Sequence, residues 1–399
     1  MGGGVRRAPK LLGVLFELTP AAVLLLCVSC SDALRTQVEI IVEAYGAIRS
    51  EGAVYVSAEN GGDANPGTRE HPKLSIQDAV DLMQAVAGSG EVRVAEGTYR
   101  LSGTLELRRG VSVLGGYGED WSRDPKLHLT TLDASASPAV RAGDDVTSDT
   151  VLSGLTIRGP AASSCTCVWC DGGSPTLALN VIDAGRGSQE SVGIFSEAAS
   201  PRITANTIVV GSAASCSWGV VVKAAAAVIR SNVICCEEAA HEYRAVVEAD
   251  SSNSVIQNNT IDGGSNPDTV MVYLSGSRPV IENNILYASA GCCAVYEKDA
   301  ASRPARLRNN AFSECAGLYV KGEGGSCDSA VEIETYLTPA AASGNIADDP
   351  DPFVNRAAGD YHLTAGSAPE HAGLDLSAEF ATDRDGAPRS APWSMGAYE

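Results

Sequence analysis

Between residues 179 and 312 one four-residue phrase returns six times: LNVI (179–182), ANTI (205–208), SNVI (231–234), NNTI (258–261), NNIL (283–286) and NNAF (309–312). Each places an asparagine two positions before an apolar residue. Asn180, Asn206, Asn232, Asn259, Asn284 and Asn310 are 26, 26, 27, 25 and 26 residues apart, a period that belongs to stacked-repeat architectures. A second apolar register runs in step: Val168, Ile194, Val220, Val246, Met271, Val295 and Leu318. One coil of this size cannot close a hydrophobic core by itself. Coils must stack, with parallel strands ~4.8 Å apart and a continuous interior. The phrases are β-branched and glycine-rich without helical spacing, which excludes leucine-rich, ankyrin and helical repeats. The expected fold is all-β, a single-stranded parallel β-helix of ~25–26-residue coils over residues 53–330.

The asparagines are read as structural. At equivalent bends their amides can bond to the same groups one coil above and below, and asparagine tolerates the left-handed backbone of sharp bends.

Working outward toward the N-terminus, EVRVAEGTY (91–99), TLELRRGVSVLGGYG (104–118), TTLDA (130–134) and TVLSGLTIRG (150–159) alternate apolar and polar residues as half-buried strands do. Ser75 with Asp78 three residues on opens an amphipathic helix whose buried face is Ile76, Val80, Met83 and Val86. Leu34, Val38, Ile41, Tyr45 and Ile48 mark a helical segment over 31–52. Both helices are expected to cap the array. YVSAENGGDANPGTREHPKLSIQDAV, then AEGTY, then GVSVLGGYG resembles the short domain heading many exported bacterial right-handed parallel β-helix proteins of the pectate-lyase-like superfamily. His71-Pro72-Lys73-Leu74 departs from the aromatic that usually follows that proline. The resemblance implies a right-handed helix. The tail, DDPDPFVNRAAGDYHLTAGSAPEHAGLD (348–375) and DRDGAPRSAPWSMGAYE (383–399), resembles the closing segment of bacterial β-helix surface proteins. It implies irregular structure over 331–399, packed on the helix and over its last strand edge.

Residues 1–30 have export-signal layout: Arg6, Arg7 and Lys10, then an apolar stretch cleanest from Ala21 to Val28, ending at Ser29-Cys30. Cys30 after Ser29 and Val28 resembles a bacterial lipobox, with Cys27 where leucine is usual. The resemblance implies a lipidated Cys30 as mature N-terminus. With Ser31 following, the expected address is the outer membrane, and otherwise secretion. Glu17 and Pro20 interrupt the apolar run, which is too short to span a bilayer. Contact with a membrane is expected only through the lipid.

Lys and Arg total 29 against 49 Asp and Glu, a formal charge of -20. That repels nucleic acid and anionic lipid, and a monomer is expected. Cys165, Cys167, Cys170, Cys216, Cys235, Cys236, Cys292, Cys293, Cys315 and Cys327 are expected as disulfides or buried apolar thiols in preference to a metal site. Asp348, Asp349 and Asp351, and Asp383 with Asp385, sit in turn contexts where oxygen ligands could reach calcium. Neither set has the spacing of a calcium loop, and no cofactor is expected.

Counting two and three places past the second register predicts one outward stripe of Glu197, Lys223, Glu248, Tyr273 and Glu297. Paired carboxylates with lysine or tyrosine are the groups used for glycoside hydrolysis or for proton abstraction beside a uronic carboxylate. The superfamily's catalytic sets do not carry over: Asn206-Thr207 and Asn259-Thr260 are followed by isoleucine, and no aspartate cluster appears between 150 and 320. Two readings follow. One is a surface module that binds a polysaccharide or another envelope component, or serves structurally, with only 5% aromatics to stack on sugars. The other is a polysaccharide lyase or glycoside hydrolase acting through the stripe.

Overall fold

The structure is a computed structural model that describes residues 32–236, 243–288, 291–347 and 350–399. Residues 1–30, read above as an export signal ending at Cys30, lie outside these residues, as do Asp348, Asp349 and His241.

Each coil lays down three strands, and equivalent strands of successive coils pair in parallel. Sheet 1 has eleven strands, from Ala53–Val56 to Ala342–Ser343. Sheet 2 has ten, from Gly97–Leu101 to Ile346–Ala347, and sheet 3 has ten, beginning at Leu105–Glu106. The chain is thus a parallel β-solenoid, in agreement with the period of the asparagine phrase. The phrase's apolar residue is the inward residue of sheet 2: Ile182, Ile208, Ile234, Ile261, Leu286 and Phe312 form one register row and are wholly buried. Leu177, Ile203, Ile229, Ile256, Ile281 and Leu307 form the facing row on sheet 1. Each such side chain contributes ~1.5–3 kcal/mol by leaving water, and the rows repeat that gain coil after coil.

The ladder forms between sheets 1 and 2. The amide nitrogen of Asn206 donates to Asn232 Oδ1 at 3.0 Å, and Asn232, Asn259 and Asn284 donate in turn to Asn259, Asn284 and Asn310. Each Oδ1 also accepts the backbone N–H of the previous rung, and each Nδ2 reaches a sheet 1 carbonyl, as Asn232 does to Ile203. Every amide atom is satisfied, which is what makes a buried polar stack stable. Two details differ from expectation. The ladder runs one rung further, to Asn345, because the repeat persists for a coil beyond 331. And the left-handed residue of each bend is the one before the rung: Leu179, Ala205, Ser231, Asn258, Asn283 and Asn309 all have φ between 48 and 58°.

The ends are closed by helices. α1 (Asp32–Glu51) and α2 (Ile76–Ala87) pack on the first coils, with Ile48 and Met83 joining the central core. Ser75 caps α2 by accepting from Asp78 N–H, and Gly88 ends it in the left-handed conformation. α3 (Ala330–Leu337), capped by Ser329, buries Ile333 and Leu337 at the other end.

The tail after 350 builds a second, smaller core on the outer face of sheet 2. Val233, Ile285, Tyr287 and Ala311 point outward there and are covered by Phe353, Tyr361, Met395, Ala397 and Tyr398. Arg389, wholly buried, closes the tail on itself through the carbonyls of Ser394, Gly396 and Ala397 and the Glu399 carboxylate.

The expectation of disulfides is corrected: among the described residues none forms. Cys235 and Cys236 are consecutive strand residues, so their side chains leave on opposite faces. Cys165, Cys167 and Cys170 instead point into the core, where Cys165 and Cys167 donate to the carbonyls of Ala184 and Asp183.

Candidate functional site

Sheet 3 has the longest strands: Ser164–Asp171, Glu190–Glu197, Cys216–Lys223 and Tyr243–Asp250 each run eight residues. It is therefore the widest of the three sheets across its strands. The inward side of each strand carries two consecutive buried residues at a bend: Gly193-Ile194, Gly219-Val220, Val246-Val247, Met271-Val272, Ala294-Val295 and Leu318-Tyr319. The register pairs Ile194 with Val220, Val247, Val272, Val295 and Tyr319 in succession. A count of apolar residues slips from the second member of the pair to the first at Val246, Met271 and Leu318, since both are apolar.

That slip, together with counting both two and three places past an anchor although these lie on opposite faces of a strand, breaks the predicted stripe into three rows. Glu197 and Lys223 are paired neighbours in an outward row Asp171–Glu197–Lys223–Asp250–Ser275. Glu248 and Tyr273 are paired neighbours in a different outward row, Trp169–Phe195–Val221–Glu248–Tyr273–Tyr296. Glu297 belongs to the inward row, paired with Leu274, and is wholly buried. There it accepts the Tyr319 hydroxyl at 2.5 Å and the Tyr336 hydroxyl, with Arg303 Nε 3.6 Å away. Glu297 is thus a tie between the last coils and α3, and not a surface group.

The row that the structure assembles is largely aromatic, although the chain is poor in aromatics. Arg141 lies over Trp169 at 5.8 Å, Trp169 meets Phe195 edge-on at 6.3 Å, and Lys223 Nζ stands 5.4 Å over Phe195. Tyr273 and Tyr296 are stacked at 5.4 Å and nearly parallel. The four aromatic side chains of this row, and Trp218 on the adjoining row, are half-exposed. Compositional scarcity concealed this, because the fold gathers rings that lie 26, 78 and 23 residues apart in the chain.

Glu248 sits in the middle of the row. Trp218 donates its indole N–H to Glu248 Oε2 at 2.7 Å. Burial pushes the Glu248 carboxyl above the usual glutamate range, opposed by the Trp218 bond and the charge of Lys223 and helped by Asp250. Burial likewise raises the Tyr273 phenol, and the Glu248 charge adds to it. Glu248 and Asp250 face outward from one strand two residues apart, roughly 6.8 Å along it. A carboxyl raised by burial with a second carboxylate two residues along the same face has the elements of acid–base chemistry on a glycosidic bond. Asp250, Trp169, Phe195, Trp218 and Tyr296 were not singled out from sequence. Their signal is the alternation around the correct anchor, Ile194 to Val220 to Val247.

The turn aspartates serve turns: Asp383 Oδ1 accepts from the N–H of Asp385 and Ala387. No group of three or more histidine, cysteine, aspartate or glutamate side chains among the described residues is placed to hold a metal ion. No helix among them is long and apolar enough to cross a membrane.

Residues 142–331 match the family model described as "Right handed beta helix region". The rungs from Asn180 to Asn310 and sheet 3's outer rows fall in that span, the last rung, Asn345, lies beyond it, and the family model describes right-handed helices. Among solved structures the chain is similar to one titled "Crystal structure of pectate lyase Pel9A", at 12% identity and a TM-score of 0.50, over 87% of this chain and 96% of that one. At that identity the likeness is one of fold. No curated protein matches the sequence.

Proposed function

We propose that this protein is an exported, lipid-anchored β-helix module that binds a linear polysaccharide along the outer face of sheet 3 without cleaving it. The observation that carries the reading is the row from Trp169 to Tyr296. It sets half-exposed rings and a hydrogen-bonding carboxylate on one face over six successive coils. Coils rise ~4.8 Å each, close to the length of a pyranose unit, so a polymer lying along the axis meets an equivalent position at each step. Rings supply apolar contact while Glu248, Asp250, Glu197 and Lys223 supply hydrogen bonds, the usual composition of a sugar-binding surface. The solved structure of similar fold is named a pectate lyase, which supports a polysaccharide as the ligand class. The test is affinity electrophoresis and calorimetry of the purified protein against neutral and acidic polysaccharides. Binding lost in Trp218→Ala or Tyr296→Ala at unchanged melting temperature supports the reading, and no binding by any polymer ends it.

A second reading is favoured by one observation, the raised Glu248 carboxyl beside Asp250, Lys223 and Tyr273. On that reading the protein is a glycoside hydrolase or polysaccharide lyase. Release of reducing ends or unsaturated products, abolished in Glu248→Gln, would establish it in place of the binding module. The anchor has a separate test: mass spectrometry of the mature chain finds diacylglycerol on Cys30, and an unmodified start elsewhere refutes it. A single species of about 40 kDa in sedimentation is expected for the monomer.

A further inference from the structure

At the N-terminal end of the solenoid, remote from sheet 3's aromatic row, lies a cavity of 760 Å³. Two loops wall it. The first, 57–72, is tied down by Asn65 Nδ2 to the Pro72 carbonyl at 2.8 Å and by Lys73 Nζ to the Asp63 carbonyl at 2.9 Å. The second, 118–129, is pinned by Arg123, which reaches Gly115 O and Ser153 Oγ at 2.9 Å each. Trp121 is held in the left-handed region at φ 63° with its ring edge-on to Tyr55 at 4.6 Å. The walls are therefore set in place before any ligand arrives, which lowers the ordering cost of binding.

The lining combines two chemistries. Leu127 and Leu129 are 70% and 60% exposed, the first of these among the most exposed large apolar side chains described, and with Trp121 they form an apolar wall. Around them stand the carboxylates of Glu59, Glu70, Glu96 and Glu119. The one cation of the lining, Arg69, is turned to the Tyr55 hydroxyl at 3.2 Å and to its ring face. His128 lies 3.3 Å from Glu96. The leucines leave apolar surface in water and the carboxylates carry negative charge, and a molecule with methylene segments between ammonium groups matches both.

We propose that this cavity is a binding site for a linear aliphatic polyamine, with the methylene chain against Trp121, Leu127 and Leu129 and the ammonium groups paired with the surrounding glutamates. A neutral sugar would leave the excess of carboxylates over cations in the lining unmatched, and a lone divalent cation would leave the leucines uncovered. The site is independent of the polysaccharide reading.

The experiment is calorimetry of the mature protein with spermidine in 0.15 M salt. One molecule is expected per chain, retained in 5 mM magnesium. Glu96→Gln with Glu119→Gln should weaken binding at least tenfold, and Leu127→Ser with Leu129→Ser at least threefold with no change in net charge. Glu43→Gln with Glu323→Gln, the same charge change at exposed positions away from the cavity, should leave affinity within a factor of two. Equal weakening by the remote pair, indifference to the leucine pair, or displacement by magnesium would each reduce the effect to general attraction by an acidic protein and overturn the site. Because all six positions are exposed, circular dichroism is expected to show each variant folded as the parent.

Discussion

Asn283 and Leu374, ninety-one residues apart, hold each other by two hydrogen bonds: the asparagine amide donates to the leucine carbonyl at 2.9 Å and accepts the leucine N–H at 2.8 Å. Its neighbours in the left-handed column do likewise. Asn258 donates to the carbonyls of Ser394 and Gly396, and Asn309 to that of Ala372. The earlier coils carry Leu179, Ala205 and Ser231 at this position. The doubled asparagine of NNTI, NNIL and NNAF is thus two devices side by side, one facing the axis and one gripping the tail.

Replacing Asn283 with alanine should free the tail and leave the solenoid intact. Two hydrogen bonds to a partly buried segment are lost, about 1–3 kcal/mol. Limited proteolysis should cut faster within 364–399, while the ladder coils stay protected. Unchanged cleavage in that segment would show that the apolar contacts of Met395 and Tyr398 suffice to hold it.

A rung of the ladder should cost more. Leucine at Asn259 removes the partner that the Asn232 amide and the Ile229 carbonyl each have in it, inside the buried interior. The expected loss is about 3–5 kcal/mol, read as a lower urea midpoint. Polysaccharide affinity at sheet 3 should be unaffected at temperatures where the variant is folded.

Glu297→Leu should separate structure from binding in the same way. Tyr319 and Tyr336 lose their acceptor and Arg303 its counter-charge, a loss of about 2–4 kcal/mol. Hydrogen exchange should rise first in α3. A selective loss of ligand binding with exchange unchanged would return Glu297 to the surface site.

The raised Glu248 carboxyl predicts a pH dependence. The folded protein binds this proton more tightly than the unfolded chain, so the group favours folding below the ordinary glutamate value of 4.5. That contribution is lost as pH rises from there through the raised value. Glu248→Gln removes the titration. The difference in stability between parent and variant should therefore shift in the variant's favour as pH rises across this window and level off above it. A difference that is flat with pH contradicts the shifted carboxyl.

The buried thiols predict slow chemistry. Burial pushes Cys170 and Cys293 up to about 12, leaving almost no thiolate at neutral pH. Both should resist alkylation in the native state and react promptly in denaturant. Protection by a disulfide instead would appear as a mass deficit of two hydrogens per bridge.

The solenoid, its period and the asparagine ladder were readable in the sequence because each depends on one residue type at one inward position, repeated without competition. A buried amide must pair, and at this period its partner can only be its own copy in the next coil. The outer face of sheet 3 was not readable, because its register hangs on a bend where two successive residues are both buried. At Val246-Val247 and Met271-Val272 apolarity marks the pair without saying which member is the anchor, and a slip of one exchanges outside for inside. Backbone pairing alone settles that choice. It drew Trp169, Phe195, Tyr273 and Tyr296 into one row, while the alternation of faces past Val295 put Glu297 in the core and the packing of the tail seated Asn258, Asn283 and Asn309 under a segment far away in sequence.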